Sequence, residues 1–178
     1  SDLTRKIYIG CITVIGGIAI LYSYVDIIKS QINGTYDYWF GVPKEIRNMI
    51  YVFQVFAAIG FVTYIIDLLI RDLPNKGIFK NKYVLPILIT LILLFSLLWS
   101  LYVQQYAKNK STLMSYLTPI SLVVTAISAI LLFAGEFENP EHSKWYNVLG
   151  LLFLCIVVVL LDAVGWNANF ILKQLQTR

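Results

Sequence analysis

The sequence predicts an all-α integral membrane protein, a bundle of five transmembrane helices joined by short loops. Of its 178 residues, 58% are hydrophobic and 13% are charged, whereas soluble domains contain about 25% charged residues. Five apolar stretches are each long enough to cross the ~30 Å hydrocarbon layer of a bilayer. We expect a single transmembrane domain over residues 1–178, with spans at about residues 7–28, 46–70, 83–106, 112–134 and 145–170.

The second span carries two polar features. Gln54 and Gly60 lie on its predicted packing face, and the span ends at Asp67, four residues before Arg71. This spacing places the carboxylate and the guanidinium on one helical face. We interpret them as an ion pair at the membrane interface, worth about 0.2–0.5 kcal/mol.

The connection between the first two spans is rich in aromatic side chains. Tyr36, Tyr38, Trp39 and Phe40 lie within five residues of chain, and Trp166 is predicted at the same end of the fifth span. Tyr and Trp prefer the headgroup level of a bilayer and are also enriched at protein interfaces. We therefore expect the connection to fold back onto the bilayer surface, where these five residues form a face that contacts a protein partner.

The fourth span carries a stripe of hydroxyl side chains. Thr118, Ser121, Thr125 and Ser128 are spaced three, four and three residues apart, which places all four on one helical face. Such a stripe can line a polar path, or its hydroxyls can bond backbone carbonyls of their own helix or groups on a neighbouring helix. We favour packing over a path and expect the stripe to face other helices and not lipid.

The fifth stretch contains a carboxylate at or near the end of its apolar run. Residues 148–161 carry no polar side chain, and Asp162 follows them, with Trp166 and Asn169 at helical spacing. An ionised carboxylate in lipid costs at least ~2.5 kcal/mol, so Asp162 either meets a polar group inside the bundle or marks the headgroup boundary. We favour the boundary, with an interfacial turn after Asp162 and Trp166 at headgroup depth.

The sequence offers no motif for an enzyme, a metal or a cofactor. Glu136, Glu138, Glu141 and His142 in the fourth connection could in principle hold a cation, but we favour charge that faces solvent. Zinc-protease, nucleophile-elbow and phosphate-loop motifs are absent from the sequence. We predict a non-enzymatic protein with no catalytic residues, no metal and no cofactor. The formal charge of +4 is explained by lipid headgroups as partners and gives no reason to expect nucleic acid binding.

Five spans place the two ends of the chain on opposite sides of the bilayer. We call the side of the N-terminus side A and the side of the C-terminus side B. Lys and Arg residues are divided seven to seven between the two sides, so the positive-inside rule does not orient the protein. Most Tyr and Trp residues belong to side B, which is why we place the expected protein partner there.

Two segments resemble a known class of membrane proteins. Residues 161–171, LDAVGWNANFI, and residues 36–48, YDYWFGVPKEIRN, are similar to small multi-span membrane proteins encoded by large icosahedral DNA viruses that have an internal membrane. The resemblance implies a structural component of a virion membrane that lies beneath a capsid shell. It also implies that the contact face of the protein meets capsid proteins.

Three functional hypotheses follow from these features. The first is a structural or assembly role, in which the bundle organises partner proteins at a bilayer. The second is a small channel or transporter subunit, with Asp162, Asn169 and the hydroxyl stripe of the fourth span as a polar path. The third is an accessory subunit of a larger membrane complex.

Overall fold

Five long helices make up most of the chain. The structure, a computed structural model, describes residues 1–177. Each of the five helices is long and apolar enough to cross a membrane, which confirms the predicted fold class at this level. Their bounds are α1 (Asp2–Asn33), α2 (Lys44–Ile70), α3 (Val84–Asn109), α4 (Thr112–Phe137) and α5 (Trp145–Gln176).

The helices pack around the bundle in the order α1, α3, α4, α5 and α2, and α2 also contacts α1. The most extensive contact is between α3 and α4, whose two-residue connection forces them to be antiparallel neighbours. The helices extend beyond the predicted spans at several ends. The polar residues at these ends remain helical because the backbone hydrogen bonds of an α-helix form regardless of the side chains.

Buried apolar side chains form two groups. The larger group fills the bundle from its middle to side A and includes Phe79, which a short 3-10 helix (Gly77–Lys80) inserts at that end. The smaller group lies at side B. We call it the aromatic cluster, and it contains Ile27, Tyr38, Trp39, Ile50, Val103, Leu122, Trp166 and Phe170.

Helix α5 changes its hydrogen-bond pattern without ending. Its first part is α-helical (Trp145–Cys155), its middle is π-helical (Ile156–Trp166) and its last part is α-helical again (Asn167–Gln176). The interfacial turn expected after Asp162 is therefore wrong. A π-helical turn holds more residues than an α-helical turn, so the side chains that face the bundle after Asp162 differ from those that a regular 3.6-residue period predicts.

Helices α2 and α5 approach each other most closely at two glycines. A methyl group added to Gly60 would lie 2.6 Å from the Cα atom of Gly150, and one added to Gly150 would lie 2.9 Å from the Cα atom of Gly60. Both distances are shorter than a carbon–carbon contact allows. Only glycine at both positions lets the two backbones meet, as in close helix pairs in lipid.

Candidate functional site

A cluster of charged side chains is buried at the side-A end of the bundle. We call it the Arg71 cluster, and it joins α2, α4 and α5 through Tyr64, Asp67, Arg71, Glu136 and Asn147. The side chains of Arg71 and Glu136 are 10% and 1% exposed. Buried charges of this kind are stable only when they are paired and hydrogen-bonded.

The cluster pairs its charges with one another. Nε of Arg71 lies 2.8 Å from Oδ2 of Asp67, and the same guanidinium forms an ion pair with Glu136. The hydroxyl of Tyr64 donates to Oε2 of Glu136 at 3.0 Å, and the amide of Asn147 donates to Oδ2 of Asp67 at 2.6 Å. One guanidinium therefore holds carboxylates from two helices together.

The predicted ion pair of Asp67 and Arg71 is present, and it is more extensive and more buried than expected, because Glu136 completes a buried network with it. The prediction that Glu136 faces solvent is wrong. Glu136 does not face solvent, because the guanidinium of Arg71 and the hydroxyl of Tyr64 replace its water. The available signal was the spacing of Tyr64, Asp67 and Arg71, which puts all three on one face of α2.

The loops around the Arg71 cluster are tied together by polar contacts. The side chain of Asn139 accepts from the backbone N–H groups of Asn75 and Lys76 at 3.2 and 3.0 Å. Lys76 also pairs with exposed Glu141 and holds the pKa of that carboxyl below its usual range. Hydrogen bonds to Tyr146 and to Asp67 raise the pKa of Lys144, so this lysine stays charged beside the cluster at neutral pH.

These acidic side chains do not gather around a common point. Within residues 1–177, no group of three or more His, Cys, Asp or Glu side chains is placed to hold a metal ion. Glu138 instead accepts from the backbone N–H of Ile78 at 3.0 Å. The backbone carbonyl of His142 accepts from Arg71. The residues of this connection therefore serve as loop and helix contacts.

The hydroxyl stripe of α4 lies inside the bundle. Thr118, Ser121, Thr125 and Ser128 are each at most 2% exposed. Each hydroxyl donates to the carbonyl oxygen four residues earlier in α4, at 2.6 to 2.9 Å. The stripe faces other helices, as the packing interpretation expects, and its donors are used within its own helix.

Asp162 meets a polar side chain of another helix. Its carboxyl is half-buried beside the side chain of Gln54 on α2, and the phenol of Tyr24 on α1 lies close enough to interact with its charge. The two predicted candidates Asp162 and Gln54 are thus brought together. A polar side chain of another helix beside Asp162 is the arrangement expected inside the bundle, and the position of Asp162 relative to the headgroup boundary stays a prediction.

Replacing Asp162 with asparagine or leucine should separate charge from hydrogen bonding. Asp162→Asn keeps a polar group beside the side chain of Gln54, and we expect little loss of folded protein. Asp162→Leu removes that polar group, and a buried amide left without a partner costs on the order of 1–3 kcal/mol. Thermal unfolding of the purified variants in detergent measures both changes. Equal stability of the leucine and asparagine variants would contradict this role for Asp162.

Two aromatic residues of the first connection, Tyr38 and Trp39, are buried in the bundle together with Trp166. Tyr38, Trp39 and Trp166 are at most 6% exposed, and Tyr36 and Phe40 are partly covered. The expectation of a partner-facing surface is therefore wrong for Tyr38, Trp39 and Trp166, and for the partly exposed Tyr36 and Phe40 it stays a prediction. The physical reason is that aromatic rings bury a large apolar area when they pack against one another.

Helix α5 holds the first connection in place by hydrogen bonds. The indole N–H of Trp166 donates to the carbonyl of Tyr38 at 3.1 Å, and the amide of Asn169 donates to the carbonyls of Trp39 and Phe40 at 3.0 and 3.2 Å. Phe40 packs edge-on against both Trp166 and Phe170. Asn169, a candidate for a polar path, thus positions a loop.

Comparison with known protein families, characterised proteins and solved structures found no match to this chain. The class of protein is therefore inferred from the sequence and structure of the chain itself. The described residues form an all-helical bundle with five helices long enough to cross a membrane. That bundle is joined by the buried Arg71 cluster at one end and by the aromatic cluster at the other.

Proposed function

We propose that this protein is a multi-pass integral membrane protein with a structural or assembly role and no enzymatic activity. The observation that carries the proposal is that the charges of the Arg71 cluster, the four hydroxyls of the α4 stripe and the amide of Asn169 are all used in contacts within the fold. Arg71 is paired with Asp67 and Glu136 at side A, and Asn169 binds the first connection at side B. Side chains that already have partners inside the fold leave few groups for catalysis or transport.

The outer surface of the helices supports insertion into a bilayer. Large apolar side chains are exposed on every helix, among them Ile18 on α1, Val55 on α2 and Ile127 on α4, at 64%, 58% and 54% exposure. In water such continuous apolar surface would cause association. A bilayer covers it without a further protein, and each helix is more than long enough to cross the hydrocarbon layer.

A channel or transporter subunit is the second candidate, and the pair Asp162–Gln54 favours it. Half-buried polar residues at membrane depth often lie on a substrate or ion path. The hydroxyl stripe supports a structural role instead, because its four donors are bonded to their own helix. We therefore rank the structural role first.

The proposal includes a protein partner and the membrane in which the bundle resides. The resemblance to membrane proteins of icosahedral DNA viruses favours a virion internal membrane, with a capsid protein as the partner. An accessory subunit of a larger membrane complex needs a partner in the same way. Since Tyr38, Trp39 and Trp166 are buried, the partner would contact other residues of side B.

Labelling of the two ends of the chain tests membrane insertion. With an odd number of crossings, we expect tags at the N-terminus and the C-terminus to lie on opposite sides of sealed vesicles. An impermeant reagent should therefore modify only one tag until detergent is added. Modification of both tags in intact vesicles would contradict five crossings.

The same vesicles distinguish the structural role from the channel role. A structural protein should give no ion flux above that of empty vesicles, and it should co-purify in constant ratio with a partner from its native membrane. A flux that disappears in Asp162→Asn, with no such partner, would overturn the proposal and favour the channel.

A further inference from the structure

The side-B end of the bundle contains a groove between three helices. It has two adjoining parts, of ≈ 370 and ≈ 150 Å³. We call it the side-B groove. The end of α3, the start of α4 and the end of α5 form its walls, and both parts share Tyr106, Lys110, Gln174 and Thr177.

The charge of the side-B groove is positive. Lys110 and Lys173 line it, and neither ammonium forms a salt bridge with a carboxylate of residues 1–177. Nζ of Lys110 lies 5.0 Å from the ring centre of Tyr106, and the ammonium end of Lys173 lies beside Gly41. Two lysines held at a groove whose lining residues include no acid attract an anion.

Helix α4 adds hydrogen-bond donors to the same groove. It begins at Thr112, which lines the smaller part. In the described chain the side chain of Ser111, the N-cap residue, makes no capping hydrogen bond. The N–H groups of the first turn therefore remain available, and the helix dipole gives this end a partial positive charge.

One side-chain amide at the groove has no partner within the fold. Gln174 lines both parts of the groove and is partly buried. Its Nε2 atom is covered by protein and has no hydrogen-bond partner among residues 1–177. A buried donor without a partner is unfavourable, and an acceptor oxygen on a ligand would satisfy this one once the side chain rotates toward the groove.

The surface around the groove is apolar, which favours a lipid over a free anion as the ligand. Phe40 and Tyr106 form one wall. Leu113 and Tyr116 on α4, with Leu172 on α5, are exposed near it, at 57% to 60%. A headgroup with attached acyl chains matches both the cationic groove and its apolar border, whereas inorganic phosphate matches only the groove.

We propose that the side-B groove binds the headgroup of an anionic phospholipid in the side-B leaflet. Lys110 and Lys173 neutralise the phosphate, while the first turn of α4 and the Gln174 amide donate hydrogen bonds to its oxygens. Basic residues between helix ends at a membrane surface commonly bind lipids in this way. The inference rests on the proposed membrane insertion.

The full chain, reconstituted in vesicles of phosphatidylcholine and phosphatidylglycerol, provides the test. Native mass spectrometry then measures which lipid stays bound to the released protein. We expect retention of phosphatidylglycerol, and a drop of tenfold or more in the double variant Lys110→Gln, Lys173→Gln, because each basic residue near the surface contributes to headgroup binding. Gln174→Leu should weaken retention without any change of charge.

The double variant Lys80→Gln, Lys82→Gln is the matched control. It removes two exposed lysines from side A, and Lys82 lies over Tyr83 at 5.1 Å much as Lys110 lies over Tyr106. We expect it to retain phosphatidylglycerol like the unmodified chain. An equal drop in both double variants would overturn the site, because surface charge alone would then explain retention.

Other outcomes separate the alternatives. Equal retention of phosphatidylcholine and phosphatidylglycerol would overturn anionic selectivity. A rise in thermal stability with inorganic phosphate equal to that with short-chain phosphatidylglycerol would assign the groove to a free anion and overturn the lipid. If the double groove variant does not fold, Gln174→Leu and the single lysine variants test the site in its place.

Flotation of the chain with vesicles distinguishes this inference from the proposed membrane insertion. Failure of the chain to float with vesicles would refute membrane insertion itself, whereas insertion without lipid selectivity would refute only this inference.

Discussion

Arg71→Met is expected to destabilise the protein more than any other single substitution considered for it. The change leaves the carboxylates of Asp67 and Glu136 buried without the guanidinium that pairs them. Removing one partner of a buried ion pair typically costs about 3–5 kcal/mol, because the remaining charge has lost its water and its counter-ion. Thermal or denaturant unfolding of the purified chain in detergent measures the loss.

A matched substitution tests whether burial is the cause. Lys76 also pairs with a glutamate, Glu141, but its side chain is 61% exposed, so Lys76→Met should change stability little. Adding Glu136→Gln to the Arg71→Met variant should recover part of the stability, since it removes one stranded charge. If Arg71→Met unfolds like Lys76→Met, the Arg71 cluster does not hold the helices together.

Gly60→Ala is expected to force α2 and α5 apart. The added methyl group would overlap the backbone of Gly150, whose Cα and carbonyl oxygen would lie 2.6 and 2.9 Å from it. Backbone cannot move aside as a flexible side chain can, so we expect a loss of about 1–3 kcal/mol, as in other overpacked contacts. Unfolding of the purified variant in detergent gives the size of the effect.

Gly17→Ala is the control for this substitution. Gly17 is also in the middle of a long helix, but a methyl group there would meet no atom within 4 Å. Alanine has the higher helix propensity, so Gly17→Ala should leave stability unchanged or raise it. Equal stability of Gly60→Ala and Gly17→Ala would mean that the close contact between α2 and α5 does not form.

The candidate sites were only partly predictable from the sequence. The orientation of the hydroxyl stripe followed from its spacing alone, because three- and four-residue steps stay on one helical face. The environment of Asp162 did not follow from the sequence, since its neighbour Gln54 lies on another helix. The sequence places Phe40 and Trp166 on side B as part of a contact face, but it does not show that their rings pack against each other.

The sequence by itself determined the number and type of the helices. Their apolar runs are local features, and a segment of ~20 apolar residues is helical because no water is available in lipid for its backbone. It did not determine which faces meet. In a membrane protein both the lipid-facing and the buried side chains are apolar, so periodicity does not distinguish them as it does for a helix in water.

Only the tertiary structure decided the contacts between distant residues. Arg71 and Glu136 are 65 positions apart, and Trp166 lies 128 positions from the loop carbonyl that it binds. Whether a charged or aromatic side chain is buried depends on such partners, because desolvation is offset only when the fold supplies a counter-charge, a hydrogen bond or a packed ring. The chain alone contains the residues, and the packing of α2, α4 and α5 determines which of them meet.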